Sequence, residues 1–437
     1  MSLFYLRSRR HLFRHVRCIS SSLETHLQDL NASGQIGRVI FGANVASAQL
    51  GAISRAVGIS KVLLVRDRDA GATSRTRFAE FLLMQAGVPC FQYTLKRDCA
   101  TLEDVDHAAA TAQRVGANGI VAFGGGNTMD VARAVALVLA AGSKATDYVD
   151  VAKEVESLKG KIDNLPVILV PTIAGSGAEV AHYSVLLDEH ADTKVLFAPE
   201  LPSVPEAILI DPTLMVTVPL ERTVQGALTS LGQCLESFLL GCGEDAMEEM
   251  AMAGFAAIAE AFALALKEDK VELKNASLRE SFAFGSLVSG IAANSSGTGA
   301  TQALAIAVGG ISEIPHAQVA SALLPFVFDR YSELVSENEG DPFFDELRKK
   351  LERADDQLAA LSGFQGVSVA EWIRNVIIRF KLPTVSTLNL EENLLNGLVD
   401  RAVQYQDETM ERFRSDDNGA IFEKDDFSAI LGAAMTS

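Results

Sequence analysis

The stretch Gly119–Asp130, GIVAFGGGNTMD, decides the fold of this chain. The apolar run GIVAF ends in glycines, and the polar residues Asn127 and Thr128 open the amphipathic segment that follows. This pattern predicts a buried strand, a tight turn and a helix. Glycines at such a turn let backbone N–H groups approach a phosphate, and the start of a helix favours negative charge. Because a tight turn also needs glycine when no ligand is bound, the motif alone leaves a purely structural role open.

The chain around this stretch alternates short β-branched runs with longer amphipathic runs. The runs RVIFG, KVLLVRD, CFQYTL, GIVAFGGG, LPVILVPT and AILIDP predict strands, and segments after Ala48 and near residues 73–87, 103–115 and 128–141 predict helices. Strands that alternate with helices favour a parallel sheet covered on both faces. We therefore predict an α/β dinucleotide-binding domain over residues 30–215.

The sequence changes character after Pro219. Long runs such as DAMEEMAMAGFAAIAEAFALALKED and SLRESFAFGSLVSGIAAN carry apolar residues at helical spacing, and strand candidates are few. The second domain, residues 216–437, is therefore predicted to be all-helical. The apolar run AGFAAIAEAFALAL is interrupted by Glu260 and falls short of the roughly 20 residues that a membrane span requires, so we expect no transmembrane segment.

The composition of the chain excludes some classes of partner. A length of 437 residues is too great for one compact core and favours two domains. The formal charge is −18 at pH 7, and because such an acidic protein repels phosphate backbones, we expect no nucleic-acid partner. The five cysteines form no CxxC pair, which suits a reducing compartment without disulfides.

The first 21 residues, MSLFYLRSRRHLFRHVRCISS, differ from the rest because they contain five Arg, several Ser and no acidic residue. This composition is typical of a mitochondrial targeting peptide. It predicts removal of residues 1–21 and localisation to the mitochondrial matrix. A basic tail is the alternative interpretation, whereas a secretory signal fits poorly because arginines interrupt each apolar stretch.

Two further segments support a nucleotide site. The segment VPTIAGSGAEV, residues 170–180, follows a predicted strand and supplies Thr172, Ser176 and two glycines, so two polar glycine-rich loops are expected to face one dinucleotide. Asp67 ends the strand KVLLVRD, where a carboxylate can accept hydrogen bonds from the adenine-ribose hydroxyls and would repel a 2′-phosphate. We therefore expect NAD, and NADP stays an alternative because Arg66 and Arg68 flank Asp67.

Four segments resemble motifs of the iron-containing (group III) alcohol dehydrogenases, and they follow one another in the order and at the spacing of that family. GGGNTMDVARAVA resembles the family's GGGSxxDxAKxxA, VPTIAGSGAEV resembles PTTAGTGSE, and PHAQVASALLP resembles PHGxxxAxLLP; TKVLFAPELPSVPEAILIDPTLMVTVP is similar to a family segment with a lysine and an Asp-Pro pair. The resemblance extends from about residue 36 to residue 330. It implies a dehydroquinate synthase-like fold, with an N-terminal parallel-sheet domain, a helical C-terminal domain, and a cleft between them for nicotinamide and substrate.

The resemblance also assigns cofactor contacts to individual residues of this chain. They are Asp67, Gly125, Gly126, Asn127, Asp130, Thr172, Ser176 and Lys194. For Lys194, a surface lysine near a turn is the alternative interpretation.

The chain departs from the family at the metal site. The family holds a divalent metal with one Asp and three His, and the matching positions here are Thr229, Gln233, Gln302 and His316. One imidazole, one hydroxyl and two neutral amides include no anionic ligand for a doubly charged ion. We therefore expect no tightly bound iron or zinc. His182 is the one other histidine that could approach the nicotinamide, and a strand-end histidine explains it better than a metal ligand.

Loss of the metal does not by itself abolish hydride transfer, because positioned donors can replace part of a metal's stabilisation of a carbonyl oxygen. Gln233 and Gln302 offer N–H donors, Thr229 offers a hydroxyl, and His316 offers a proton near neutral pH. These four residues are our candidate catalytic residues, in a hydrogen-bonding pocket. His316 followed by Ala317 also resembles the maleylacetate reductases, a branch of the superfamily regarded as working without metal.

The leading functional hypothesis is an NAD(P)-dependent oxidoreductase that interconverts a small alcohol and an aldehyde or ketone without a tightly bound metal. A non-catalytic nucleotide-binding relative, acting as a sensor or assembly partner, is the alternative from another class. A metal-dependent alcohol or hydroxyacid dehydrogenase and a lyase or cyclase related to dehydroquinate synthase are further alternatives. The expected partners are a small-molecule substrate and a second copy of the chain in a homodimer, with no membrane.

Overall fold

The computed structural model describes residue 25 and residues 27–68, 70–148, 165–197, 204–241, 245–266, 275–297, 299–363, 366–388, 390, 394–413 and 421–436. The predicted targeting segment, residues 1–21, lies outside these ranges. The chain forms two compact units: the first ends at Val218 and the second begins at Pro219, while the loop Ala174–Gly177 belongs to the second unit. The predicted division at 215/216 lies three residues earlier, and the prediction places this loop in the α/β domain.

A six-stranded parallel sheet forms the centre of the first unit, which confirms the predicted fold class. Its strands are β1 (Arg38–Phe41), β2 (Val62–Arg66), β3 (Cys90–Thr94), β4 (Gly119–Gly124), β5 (Val167–Pro171) and β8 (Ala207–Ile210). Their spatial order is β1-β8-β5-β4-β2-β3, and every neighbouring pair is parallel. The predicted strand runs correspond to these strands one by one.

The helices of the first unit follow the strands. They are α1 (Val45–Ala56), α2 (Ala70–Gln85), α3 (Leu102–Val115), α4 (Gly126–Ala141) and the single turn α5 (Pro212–Met215). Local signals explain the bounds of α3: the Thr101 side chain accepts the Asp104 N–H before it, and Gly116 adopts a left-handed conformation after it.

The register of the sheet brings two predicted polar segments to one edge. All residues of β4 and β5 are buried, as expected for strands covered on both faces. Gly124 lies opposite Pro171 in this register, and the Thr172 N–H donates to the Gly124 carbonyl oxygen at 2.9 Å. The glycine turn after β4 and the segment after β5 therefore begin side by side.

An antiparallel hairpin in the first unit was not predicted. It consists of β6 (Ser184–Asp188) and β7 (Thr193–Phe197), with Leu187 opposite Lys194. The polar segment between two apolar runs in SVLLDEHADTKVLF was the available signal for a hairpin turn.

The second unit is helical throughout its described residues, which confirms the predicted all-helical C-terminal part. Its helices are α6 (Leu220–Leu240), α7 (Asp245–Leu266), α8 (Ala276–Ser296), α9 (Ala300–Ile311), α10 (His316–Glu337), α11 (Pro342–Ser362), α12 (Val369–Phe380), α13 (Leu395–Phe413) and α14 (Lys424–Met435). Within the described part of the chain, α7 is the helix long and apolar enough to cross a membrane by length and composition. Since 72% of its apolar window is buried inside the protein, α7 has the placement of a core helix.

Candidate functional site

The glycine turn between β4 and α4 could receive an anion. Gly125 is the N-cap of α4 in an extended conformation, and α4 begins without a side-chain cap. The N–H groups of Thr128 and Met129 return to the Gly125 carbonyl oxygen at 3.1 and 3.2 Å. The N–H groups ahead of them, on Gly126 and Asn127, belong to the helix start that has no intrahelical acceptor. A phosphate at this place would receive those donors and the positive end of the helix dipole.

Asp67 braces this turn. Its Oδ2 accepts the Gly125 N–H at 2.9 Å, and its Oδ1 accepts the Thr128 hydroxyl. A methyl group at Gly124 would lie 2.7 Å from Oδ2, so the glycine permits the close approach of the carboxylate. Sequence reasoning assigned Asp67 to the adenine ribose and did not find this bracing role. Each carboxylate oxygen has a second lone pair, so the contact with the ribose stays a prediction.

The side chains of Asp130 and Asn127 form contacts within the protein. The Asp130 carboxylate forms an ion pair with Arg133 at 2.8 Å, and Asn127 Nδ2 donates to the Asp98 carbonyl oxygen at 2.8 Å. Burial raises the pKa of Asp130 to about 6, against the opposing effect of Arg133. Arg133 also donates to three carbonyl oxygens of the following loop, those of Ala178, Ala181 and Tyr183. Arg133, which the sequence analysis did not single out, therefore fixes the loop that leads into the hairpin.

Lys194 lies on β7 and is buried, so its interpretation as a surface lysine was wrong. Burial lowers the pKa of Lys194, and the nearby Cys99 and Asp130 oppose that shift. Lys194 and Asp130 interact electrostatically, so Lys194 is a second cation, besides Arg133, that acts on this carboxylate. Its contact with the cofactor stays a prediction, as does that of Thr172, which is buried at the end of β5.

The glycines of the second glycine-rich loop have a packing role. The Ser286 hydroxyl on α8 accepts the N–H groups of Gly175 and Gly177 at 2.9 and 3.2 Å. Gly177 has a φ of 64°, and a methyl group there would lie 2.4 Å from the Gly290 Cα. Both glycines thus allow the loop to approach α8, and the orientation of this loop toward the dinucleotide stays a prediction. Ser176, between them, is exposed, and its contact with the cofactor stays a prediction.

Gln302 and His316 form a direct pair. The two side chains meet at 2.6 Å between His316 Nε2 and Gln302 Oε1. Because an amide oxygen only accepts, Nε2 of His316 carries the proton in this arrangement. The nitrogen of the same amide, Gln302 Nε2, is buried and has no hydrogen-bond partner among the described residues. A buried donor of this kind is satisfied when a ligand or water supplies an acceptor.

The other two candidate catalytic residues make different contacts. The buried Thr229 hydroxyl donates to the Gln225 carbonyl oxygen at 2.8 Å within α6. Gln233 Oε1 lies 3.5 Å from the Ser289 hydroxyl oxygen on α8, whose proton is donated to the Ser286 carbonyl oxygen at 2.9 Å. A hydrogen bond therefore joins Gln302 to His316, whereas Thr229 bonds within its own helix and Gln233 lies near Ser289 on α8.

These residues do not fit an iron or zinc ion. The four matching positions contain one imidazole and no carboxylate or thiolate, and the Nε2 atom of that imidazole is bonded to Gln302. In the described ranges no group of three or more His, Cys, Asp or Glu residues comes together. His182 belongs to the first unit, where burial lowers its pKa and Arg133 adds to that shift, while a hydrogen bond to the Gln35 backbone opposes it.

Glu236 is a buried carboxylate near the pair that sequence reasoning did not assign. Its Oε1 accepts the Thr301 N–H at 3.2 Å, and burial raises its pKa to about 7. Its Oε2 and the buried Tyr331 hydroxyl have no hydrogen-bond partner among the described residues. The spacing of Glu236 after Gln233 was the one signal in the sequence, and it did not reveal the contact with α9.

Comparison with known proteins agrees with this architecture. Residues 37–212 match the family profile of the iron-containing alcohol dehydrogenases, and residues 223–424 match the C-terminal profile of the same family. The NAD-dependent methanol dehydrogenase of Bacillus methanolicus is 23% identical over 304 residues, which cover 67% of this chain and 77% of that protein.

Two solved structures show the same fold. An archaeal halo-thermophilic alcohol dehydrogenase from a Red Sea brine pool superposes with a TM-score of 0.74 at 20% identity, over 91% of this chain and 97% of that one. The sulfoacetaldehyde reductase of Bifidobacterium kashiwanohense, solved with NAD⁺, gives a TM-score of 0.71 at 20% identity, over 92% and 98% of the two chains.

The sheet, the glycine turn and the helical unit thus define an oxidoreductase of the alcohol dehydrogenase kind. With both profiles matched, the chain belongs to the iron-containing alcohol dehydrogenase family.

Proposed function

We propose that this chain interconverts a small alcohol and an aldehyde or ketone with NAD, and that it does so without a tightly bound metal. The observation that carries the proposal is the Gln302–His316 pair. It presents a buried N–H group with no acceptor among the described residues, at a position where the resemblance puts a metal ligand. A hydrogen-bond donor is the kind of group that can take over stabilisation of a carbonyl oxygen.

The first turn of α4 would hold the pyrophosphate of the dinucleotide. Its first N–H groups have no side-chain cap, and the glycine turn leaves room for a close approach. The acidic Asp67 beside this turn favours a ribose with free hydroxyls over a 2′-phosphate, which supports NAD. The name of the NAD-dependent relative from Bacillus methanolicus supports the same choice. The bound nicotinamide supplies the hydride chemistry.

Gln302 and His316 would act on the carbonyl oxygen. The bond from His316 Nε2 fixes the orientation of the Gln302 amide, so its Nε2–H group is the end left to donate. That donor would bind the carbonyl oxygen and stabilise the negative charge that develops on it during reduction. His316 is the titratable group of the pair. Because its Nε2–H is donated to Gln302, the proton that the alkoxide takes up would come from Nδ1–H of the protonated imidazole.

Three measurements on the chain without residues 1–21 test the proposal. NADH fluorescence should show binding, a panel of aldehydes and alcohols should show turnover, and elemental analysis after expression with added iron and zinc should show neither metal near stoichiometry. Activity should survive chelator treatment and be lost in His316→Ala. Absence of NADH binding would reject the proposal, and near-stoichiometric metal would reject its metal-free part. NADH binding without turnover would favour a non-catalytic nucleotide-binding protein.

We further propose that the protein acts in the mitochondrial matrix as a homodimer. The Arg-rich, acid-poor composition of residues 1–21 supports the location, and the prevalence of twofold oligomers supports the assembly. A fusion of residues 1–35 to a fluorescent protein should localise to mitochondria, and a fusion whose five Arg are replaced by Gln should not. Light scattering of the purified chain tests the dimer.

A further inference from the structure

The first turn of α9 receives its acceptor from another helix. Its N-cap residue, Gly299, makes no side-chain cap bond to the first N–H groups of α9. Glu236 on α6 supplies the acceptor: its Oε1 accepts the Thr301 N–H at 3.2 Å. A carboxylate at a helix N-terminus is further favoured by the helix dipole. Glu236 therefore ties α6 to the beginning of α9.

The fit between Glu236 and α9 is close. A methyl group at Gly299 would lie 2.5 Å from Glu236 Cδ and 2.7 Å from Glu236 Cβ. Contacts this short between heavy atoms are repulsive, so residue 299 must be glycine for the carboxylate to keep its place. Glu236 and the Thr301 residue that it contacts are both buried.

The turn held by Glu236 also carries the amide of the candidate site. Gln302 follows Thr301 directly in α9, and its side chain is bonded to His316 at 2.6 Å. Gln233 lies on α6 shortly before Glu236. A displacement of the first turn of α9 would therefore move the Gln302 amide relative to both α6 and His316.

We propose that Glu236 is a positioning residue, whose bond to the first turn of α9 holds the Gln302 amide against His316 and so aims Gln302 Nε2–H at the substrate oxygen. The inference rests on the proposed function for what the amide does. The positioning role of Glu236 depends on the length and shape of its side chain and not on its charge, since an uncharged acceptor of the same length can receive the same N–H group.

A set of variants separates reach from charge. Glu236→Gln keeps the length and the acceptor, Glu236→Asp keeps the charge but is shorter, and Glu236→Ala removes both. Gly299→Ala displaces Glu236 from the opposite side of the contact. Ser237→Ala is the matched control, since Ser237 is the next residue of α6, is buried, and bonds to the Ser296 hydroxyl at 2.9 Å on α8 rather than to α9.

Two readouts apply to the whole chain without residues 1–21. In steady-state kinetics we expect kcat for aldehyde reduction to fall roughly 100-fold in Glu236→Ala and Glu236→Asp, the effect expected of a displaced donor, while KM for NADH is unchanged. Glu236→Gln and Ser237→Ala should keep most of the wild-type kcat. In ¹⁵N-histidine-labelled protein, the His316 Nε2–H signal, assigned by its loss in His316→Ala, should stay protected in these two variants and disappear in the Ala and Asp variants of Glu236.

The outcomes distinguish this inference from the proposed function. Wild-type kinetics and a wild-type imidazole signal in Glu236→Ala would overturn the role of Glu236 and leave the proposed function intact. A Glu236→Asp variant more active than Glu236→Gln would overturn it too, because charge rather than reach would then matter. Equal losses in Ser237→Ala and Glu236→Ala would show a general packing effect and reject it. If no substrate is turned over, the imidazole signal still tests the position of the pair.

Discussion

The helix starts of α4 and α9 carry the candidate chemistry of the two units, and they are built alike. Neither helix has a side-chain cap of its own. A carboxylate from another element accepts a backbone N–H at each: Asp67 accepts that of Gly125 at 2.9 Å, and Glu236 accepts that of Thr301 at 3.2 Å. A glycine beside each carboxylate gives it room, at Gly124 and at Gly299.

The two starts differ in the chemistry that they support. The turn before α4 keeps the glycine-rich motif that resembles the family pattern, whereas α9 carries Gln302 where that pattern has a metal-binding histidine. The difference teaches that the support of a site and its reacting groups can change separately. In this chain a carboxylate holds the start of α9, and the positions that the resemblance matches to metal ligands are Thr229, Gln233, Gln302 and His316, none of which is anionic.

The most severe test of this comparison is to restore the ligands. The combined variant Thr229→Asp, Gln233→His and Gln302→His supplies a carboxylate and two imidazoles beside His316. If the support is intact, this variant should bind iron or zinc near stoichiometry by elemental analysis, since the set then matches known metal sites. Gln302→His alone lacks the anionic ligand and should stay nearly metal-free. A folded triple variant that also stays metal-free would show that these positions do not converge.

The second test acts on α4. In Gly124→Ala the added methyl group would lie 2.7 Å from Asp67 Oδ2 and 2.5 Å from the Thr128 hydroxyl oxygen, which breaks the brace. We expect NADH affinity to fall by a factor of roughly 10 or more, about 1.4 kcal/mol, as measured by fluorescence titration. Gly432→Ala is the control, because a methyl group there meets nothing within 4 Å. Unchanged affinity in Gly124→Ala would mean that the turn does not hold the cofactor.

A third test uses pH to contrast the buried carboxylate with its neutral isostere. Burial raises the pKa of Glu236 from 4.5 to about 7. The folded chain then binds the Glu236 proton more tightly than the unfolded chain does. The contribution of this proton to the free energy of unfolding is therefore complete below pH 4.5 and is lost as the pH rises through about 7.

Glu236→Gln cannot lose a proton, so its Tm relative to the wild type should increase as the pH rises from about 5 to about 8. Scanning calorimetry at several pH values measures this difference. Ser237→Ala should show a Tm difference that does not vary with pH. A flat difference for Glu236→Gln as well would contradict the raised pKa of the buried carboxylate.

The last test concerns the loop Ala174–Gly177. Ser286→Ala removes the hydroxyl that accepts the N–H groups of Gly175 and Gly177. We expect a loss of about 1–3 kcal/mol in the free energy of unfolding, the cost of leaving buried donors unpaired. Ser289→Ala is the comparison, because its hydroxyl bonds to the Ser286 carbonyl oxygen in its own helix. An equal loss in both variants would mean that the loop does not depend on Ser286.

The fold could be predicted from the sequence because its signals are local. Most strands of the sheet are short apolar runs, and the helical unit repeats apolar residues at helical spacing over long segments. The β6–β7 hairpin was missed because neither run stood out from the helix-flanked strands around it. Its turn residue Asp192, with a φ of 47°, has a conformation that the sequence does not announce.

The supports of the site could not be predicted, because they join residues far apart in the chain. Asp67 and Gly125 are separated by 58 positions, and Glu236 and Thr301 by 65. A carboxylate has no local periodicity that reveals which N–H group it will accept. The fourteen-residue spacing of Gln302 and His316 was found because the family resemblance supplied it, and their direct bond agrees with a shared role.

The loop Ala174–Gly177 has a consequence for dividing the protein into parts. The chain leaves the α/β unit after Ile173, returns at Ala178, and leaves again after Val218, so more than one peptide crossing links the two units. A fragment that stops at Val218 would retain the loop but lack the serine and glycine of α8 against which it packs. Limited proteolysis at a single bond therefore cannot release either unit intact. If the two halves were produced separately, one would have the loop and the other would have α8, and neither could form the contact between them.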